Sequence, residues 1–472
     1  MTEEAKVKVP FLSKVSSDKV FCYISMALLV FLPIAEIVAE FLNSSKIKAF
    51  RRWFPSIWQP YIVAVFGGIL ALVVILNFVS RIVNGKFKLY VADIFFFTLM
   101  FFMLLSMFCS VNFGVFAGGS KFYCERPEIF LCYYCLFFAG SMIKDDGLRR
   151  KVLYSYILVA LIEGVVAYLQ THQIEISYCL YGSNRTSYTA PWGTLQNTNF
   201  YGTLSCVLTA ITSGFFIFSS RIGNSKFWKS KIVKWVVYGL SMLVFYTLLA
   251  SCARLAWVGM IGVVLTYVIS LLMMRKSDIG KEALKSITKN FIIVLVGYAV
   301  VIIYTVFGKS YVTDRIEATA QDTVAAIGTD EFGDGRGAIW KAALSSVPRH
   351  PLTGIGLDNL AQCFREMPGW QEGDYVQDKA HNEYIHVLAT QGIPAFINYM
   401  TLLIYATVNS VKVILNEKNE AKRCILWIFL TVFAGYLSQA LFSSSIMNVA
   451  PYFWLILGLL TPRTKPVSFK KG

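Results

Sequence analysis

The chain predicts an all-α fold: a polytopic transmembrane helical bundle of about twelve spans, with one long loop containing short helices. Three observations carry this reading. Apolar runs approaching or exceeding the roughly 18–20 residues that cross a hydrocarbon core recur along the sequence. Charged residues make up 15% and hydrophobic residues 56%, whereas a soluble protein of 472 residues needs far more surface charge. Lys and Arg collect in short segments between the apolar runs, as the positive-inside rule expects. A β-barrel would instead show short alternating segments.

Taken in order, the first run, near 20–41, follows Lys14 and Lys19 and has no convincing small-residue cleavage site, so it is expected to stay as a span. Further spans are expected near 60–80, 90–111, 127–143, 151–170, 200–219, 232–250, 255–274, 290–307, 393–413, 424–442 and 447–461. The fourth and the last are short. With a cytoplasmic N-terminus, the inside segments hold 29 of the 44 Lys and Arg residues. Seven of the remaining 15 fall in the long loop, which is exempt from the rule by its length. Only the first outside loop, with Lys46, Lys48, Arg51 and Arg52, runs against it. Both termini are therefore expected in the cytoplasm and the long loop outside. The expected divisions are a bundle of about nine spans over 1–307, the loop over 308–392, and about three spans with a short tail over 393–472.

The net charge of +16 does not indicate nucleic acid, because no basic groove with interleaved aromatics lies outside the spans. The ten cysteines are scattered and mostly sit in apolar runs, so no disulfide framework is expected. Cys132 and Cys135 have CxxC spacing inside a span, where they read as small apolar side chains. No Walker A, Rossmann fingerprint, GxSxG or zinc-type HExxH is present, and no internal repeat marks paired transporter halves.

Polar chemistry collects in the long loop, which carries twelve acids against seven bases between Lys309 and Glu383. Ile339, Ala342, Ala343 and Val347 fall on one helical face, and Pro348 ends that helix. Pro351 to Gly356 is turn chemistry, with Gly354 and Gly356 free to take positive φ. A second helix is expected from His381 or Asn382 to Gln391, broken by Gly392-Ile393-Pro394.

Within this frame His381, beside Asn382 at a helix start, has the chemistry of a base or hydrogen-bond donor near neutral pH; its structural alternative is a cap. His350 precedes a proline in a turn, where a structural role is favoured. Arg254, in the short turn Ser251-Cys252-Ala253-Arg254, is costly at a membrane boundary unless an anion or the headgroups meet it. Arg336 precedes the Ile339–Val347 segment and so lies near a helix N-terminus, which favours anions. Arg185 is a third cation. The uncharged turn from Gly193 to Asn199 offers amides to sugar hydroxyls, with helix capping by Asn199 as the alternative. The loop acids, such as Asp330, Asp358 and Glu383, do not match calcium-loop spacing and read as a solvated surface.

In this order the motifs resemble the O-antigen ligase and O-antigen polymerase superfamily of bacterial membrane glycosyltransferases. The matching residues are Ser251-Cys-Ala-Arg254, Arg336-x-x-x-Trp340, His350-Pro351-Leu352-x-Gly354-x-Gly356, and His381-Asn382-x-Tyr384-x₇-Gly392, within about 185–395. The resemblance implies a GT-C-like enzyme of the bacterial inner membrane. Its donor would be a glycan on undecaprenyl pyrophosphate and its acceptor a saccharide or lipid-saccharide, with membrane lipids around it and no metal, cofactor or nucleotide sugar. Arg254 and Arg336 would grip the pyrophosphate and His381 would assist the acceptor hydroxyl or the leaving group, with inversion at the anomeric carbon. Arg185, Asn199, Trp340, His350 and Asn382 would contact substrate. One departure is Cys252-Ala253, where the family often has a small hydroxyl residue before the arginine. The alternative class is a glycolipid transporter or flippase, which would place its charges along a mid-membrane cavity.

Overall fold

Prolines and short polar side chains set where the helices begin. Pro60, Pro127 and Pro451 stand in first turns, where a missing N–H costs nothing. Asp145, Asn197, Ser230, Asn382 and Asn419 cap other helices by accepting backbone N–H groups. The computed structural model describes residues 14, 17–44, 58–112, 125–174, 190–223, 225–276, 279–308, 311–318, 329–330, 332–372, 374, 376–463 and 466–467. Arg185, Glu331, Lys46, Lys48, Arg51 and Arg52 lie outside the described residues.

The helices are α1 (Asp18–Ser44), α2 (Gln59–Val83), α3 (Val91–Phe108), α4 (Pro127–Met142), α5 (Asp146–Thr171), α6 (Thr198–Ile222), α7 (Lys231–Ala250), α8 (Arg254–Arg275) and α9 (Lys281–Gly308). After a short helix over 311–318 come α10 (Phe332–Ser346), α11 (Ala361–Arg365), α12 (Glu383–Asn416), α13 (Glu420–Ala440) and α14 (Ala450–Leu459). Ten of these, all but α4, α10, α11 and α14, are long and apolar enough to cross a membrane. α4 and α14 are apolar but only 16 and 10 residues long, so a count of twelve needs both. The described residues form an all-helical, polytopic bundle. α9 starts at Lys281, nine residues before the expected span, because Ala283 and Ile287 pack into the core one turn apart.

α6 is the central pillar, and the whole of its most apolar stretch is buried. Small residues allow this. A Cβ at Gly202 would lie 2.3 Å from Ala253, and one at Gly214 would lie 2.2 Å from the Tyr267 hydroxyl. α4 and α14 touch backbone to backbone through Gly140 and Gly458. Cys132 and Cys135 are buried in α4 as free cysteines.

The two ends of the bundle differ. At one end Tyr90 pairs with Pro466, Arg463 Nε reaches Ser141 at 3.1 Å, and Lys151 donates to Tyr23 at 2.6 Å. The starts of α1, α3 and α5 and the C-terminal segment therefore share that end. The other end carries the loop, which has its own small core of Ile339, Ala342, Ala343, Ile355, Leu360 and Phe364, among others.

Candidate functional site at the loop face

The site is built around a broken helix. Gly392 takes φ +84° inside α12, and Pro394 has no N–H to continue the ladder. The break orphans the carbonyls of Ala389 and Thr390. The turn after His350 supplies replacements: Ile355 N–H donates to Ala389 O at 2.9 Å and Gly356 N–H to Thr390 O at 3.0 Å. Ser106 adds a bond to Thr390 O at 2.9 Å, and the freed Ile393 N–H finds Pro351 O at 2.8 Å. Gly354 (φ +64°) has no room for a side chain, since a Cβ would sit 2.3 Å from the Thr390 carbonyl carbon. The His-Pro-Leu-x-Gly-x-Gly stretch is thus the cap that fits the α12 break. His350 Nε2 lies 3.0 Å from Glu366, which also takes Arg349 at 2.9 Å, and this ties the turn to the end of α11.

His381 immediately precedes the α12 cap. Asn382 accepts the Ile385 N–H at 3.0 Å, so the cap is Asn382 and the helix proper starts at Glu383. His381 itself is held at φ +49°, a left-handed conformation that costs a non-glycine residue about 1–2 kcal/mol. α10 holds the approach. Its regular part begins after Gly333 and Gly335, both at positive φ, which leaves Arg336 near the start of the regular turns, as expected, although the helix is assigned from Phe332. Trp340, one turn on, donates its indole N–H to Ala380 O at 2.9 Å. Burial, then the charges of Arg336 and Lys379, pull the His381 imidazole pKa from 6.5 to about 4. His381 is therefore neutral at pH 7 and can accept a proton.

Arg254 is the first residue of α8. The hydroxyl missing at Cys252 and Ala253 is supplied one step earlier: Ser251 Oγ accepts from Ala253 N at 3.4 Å and donates to Leu248 O at 2.7 Å. One turn into α8 from Arg254, between α7, α8 and α9, begins an apolar groove of about 640 Å³ lined by Phe245, Leu248, Trp257, Met260, Tyr298 and Ile302, among others. The end of α13 joins the parts. Gln439 donates to Thr203 O of α6 at 3.2 Å, Tyr384 donates to Leu437 O at 3.0 Å, and the rings of Trp340 and Phe442 are 6.4 Å apart. A Cβ at Gly259 of α8 would fall 3.3 Å from Gln439.

The turn before α6 is organised differently from the expectation. Asn197, not Asn199, is the cap, accepting from Asn199 N at 2.8 Å. Asn199 is exposed at the first turn. The amides of Trp192, Gly193 and Thr194 are taken by Gln170 and Glu163, so they bind the protein itself rather than facing a ligand. Glu163, buried in an apolar run, is explained by this turn.

Sequence reading missed the polar layer behind His381. Lys379 is buried between Glu125, just before α4, and Asp358 at 3.4 Å. Glu125 also accepts from Tyr133 at 2.9 Å. Glu383 is buried and accepts from Tyr399 and from Tyr436 at 2.9 Å. In sequence Asp358 and Glu383 look like solvated loop acids, and only a lysine two residues before the histidine hints otherwise. No group of three His, Cys, Asp or Glu side chains is assembled for a metal among the described residues.

Residues 239–400 match the family model described as O-Antigen ligase. The match covers about a third of the chain, and over this segment the chain is similar to O-antigen ligases. The matched segment runs from α7 through the break in α12, and so includes Arg254, Arg336, Trp340, His350, His381 and Asn382. Asn199 and Arg185 lie before it. No curated protein matches the chain. The match supports an O-antigen-ligase-like membrane enzyme.

Proposed function

We propose that the chain is a glycosyltransferase of a bacterial inner membrane, with both termini cytoplasmic and the loop over 308–392 on the external face. It moves a glycan from undecaprenyl pyrophosphate to an acceptor hydroxyl, without a metal. The observation that carries the reading is the placement of His381, with the charge of Arg336 acting on it, at the bundle end where α8 begins at Arg254, one turn from an apolar groove.

In this reading the groove takes part of the polyprenyl chain, and Arg254 and Arg336 meet the pyrophosphate. The acceptor oxygen attacks the anomeric carbon from the face opposite the pyrophosphate, so configuration inverts. As the new C–O bond forms, the bond to the pyrophosphate oxygen breaks and the acceptor proton passes to His381. Negative charge then builds on the leaving group, where fixed cations stabilise it most. Trp340, His350 and Asn382 contribute through the backbone they hold. Arg185 and the exposed Asn199 remain proposed glycan contacts.

The test uses purified protein in liposomes with lipid-linked glycan extracted from its own host, with and without a chelator. Release of undecaprenyl pyrophosphate and a glycosylated acceptor, unchanged by the chelator, is the expected result. Transfer of intact glycolipid between leaflets without release of the pyrophosphate would replace this reading with the transporter.

A further inference from the structure

His381 is in a strained backbone state, and every neighbour within two residues is tied down. Ala380 is held by Trp340, Asn382 by its cap, and Glu383 by two tyrosines. Lys379, like Glu383, is an anchor that reaches outside the loop. Its side chain is 1% exposed, as are those of Glu125 and Asp358 on either side of it. Lysine is almost never buried this deeply unless paired. A buried ion group of this kind is often no more stable than apolar residues of equal size. Stability alone therefore gives little reason for the group, whereas its place two residues from His381 gives one.

We propose that the buried ion triad Glu125–Lys379–Asp358 holds His381 in its working pose, which makes Lys379 a positioning residue of the transfer site. The triad joins three separate parts: the segment entering α4, the turn that caps the α12 break, and the strained residue run before α12. Asp358 is itself at φ +56°, so the clasp fixes two left-handed residues together. Glu125 is braced by Tyr133 of α4, so the pose of His381 is referred to the bundle rather than to the loop alone. The charged and titratable groups around His381 are Arg336 from α10, Lys379 from its own segment, His386 and Glu383 from α12, with Glu125 and Asp358 behind Lys379. Both cations oppose protonation of the ring.

The proposal rests on the transferase reading for its kinetic arm only. That arm compares Lys379→Met, Lys379→Arg and Glu125→Gln with wild type, using the host's lipid-linked glycan. Lys379→Met is expected to lower kcat by about 10²-fold with KM nearly unchanged, since a displaced reacting group loses rate on that scale. Lys379→Arg is expected to recover most of the loss. The second arm needs no substrate: diethyl pyrocarbonate modifies neutral imidazole, and peptide mass spectrometry reads His381 labelling against pH. Loss of the Lys379 charge is expected to move the labelling midpoint to higher pH. Wild-type kcat in Lys379→Met, or an unmoved midpoint, overturns the proposal. Should Lys379→Met not fold, Glu125→Gln decides, with a fall in kcat expected and an unchanged kcat overturning it. Absence of transfer by wild type would sink the transferase reading, while the labelling arm would still judge the clasp.

Discussion

The two ends of the bundle bury charge beside different neighbours. At the end bearing the C-terminal segment, Asp93 is fully buried between Arg81 at 3.0 Å and Arg463 at 2.6 Å. Arg81 and Arg463 also stack on Tyr90, so cations there meet a carboxylate and an aromatic face. At the loop end, two cations act on a neutral imidazole instead. The first arrangement neutralises itself and holds helices together. The second keeps a base uncharged beside positive charge, which suits a site that receives an anionic leaving group. Lys379 is itself neutralised by Glu125 and Asp358, so the ends differ in what the buried charge stands beside: a helix junction at one, His381 at the other.

That contrast can be broken by mutation. Asp93→Asn leaves two buried arginines without their carboxylate and is expected to cost roughly 3–5 kcal/mol of stability, read by thermal unfolding in detergent. Turnover per folded molecule should be unchanged; a fall in kcat at full occupancy of the folded state would erase the distinction between the ends. His381→Ala should do the reverse, lowering kcat on the order of 10³-fold with little change in melting. Arg336→Ala is expected to lower kcat/KM by about 10²-fold, with only part restored by lysine, whose point charge lacks the planar fork.

The pH dependence sharpens the same point. His381 titrates at about 4 in the fold and near 6.5 when unfolded, so the unfolded chain binds more protons between those values. Its contribution to stability is full above about 6.5 and falls as the pH drops toward 4. Transfer should keep its rate well below pH 6.5, and a loss of rate centred at 6.5 would show a solvent-exposed histidine instead. The smallest expected effect is Trp340→Phe, which removes one hydrogen bond to Ala380, worth about 1 kcal/mol, and lowers kcat a few-fold. An unchanged kcat there would separate Trp340 from the pose of His381.

Much of the fold was legible from local rules. Continuous apolar runs marked the helices because a backbone in hydrocarbon must satisfy its own polar groups. Pro348, Gly354, Gly356, Gly392 and Pro394 marked the loop's punctuation, because their backbone limits act within a few residues. α9 began earlier than its apolar run because Lys281, Lys285 and Lys289 face away from the buried Ala283 and Ile287, a split that hydropathy averages out. The cap before α6 was placed two residues late because Asn197 and Asn199 are equally able to cap, and only the extended backbone at Asn197 chose between them.

The sequence by itself determined which residues could be helical, which could turn, and which side chains had the chemistry to act. It also ordered the motifs of the matched segment, from Arg254 through Arg336 and His350 to His381. Tertiary structure alone decided what those side chains meet. Glu125 and Lys379 are 254 residues apart, and the turn at Ile355 caps a carbonyl at Ala389. Such contacts depend on how α4, α10, α12 and α13 pack, which is set by summed small terms over the whole bundle rather than by any local pattern. Whether a buried lysine is a burden or an anchor, and whether a histidine is charged, follows from that packing, because desolvation and neighbouring charge exist only once the chain is folded.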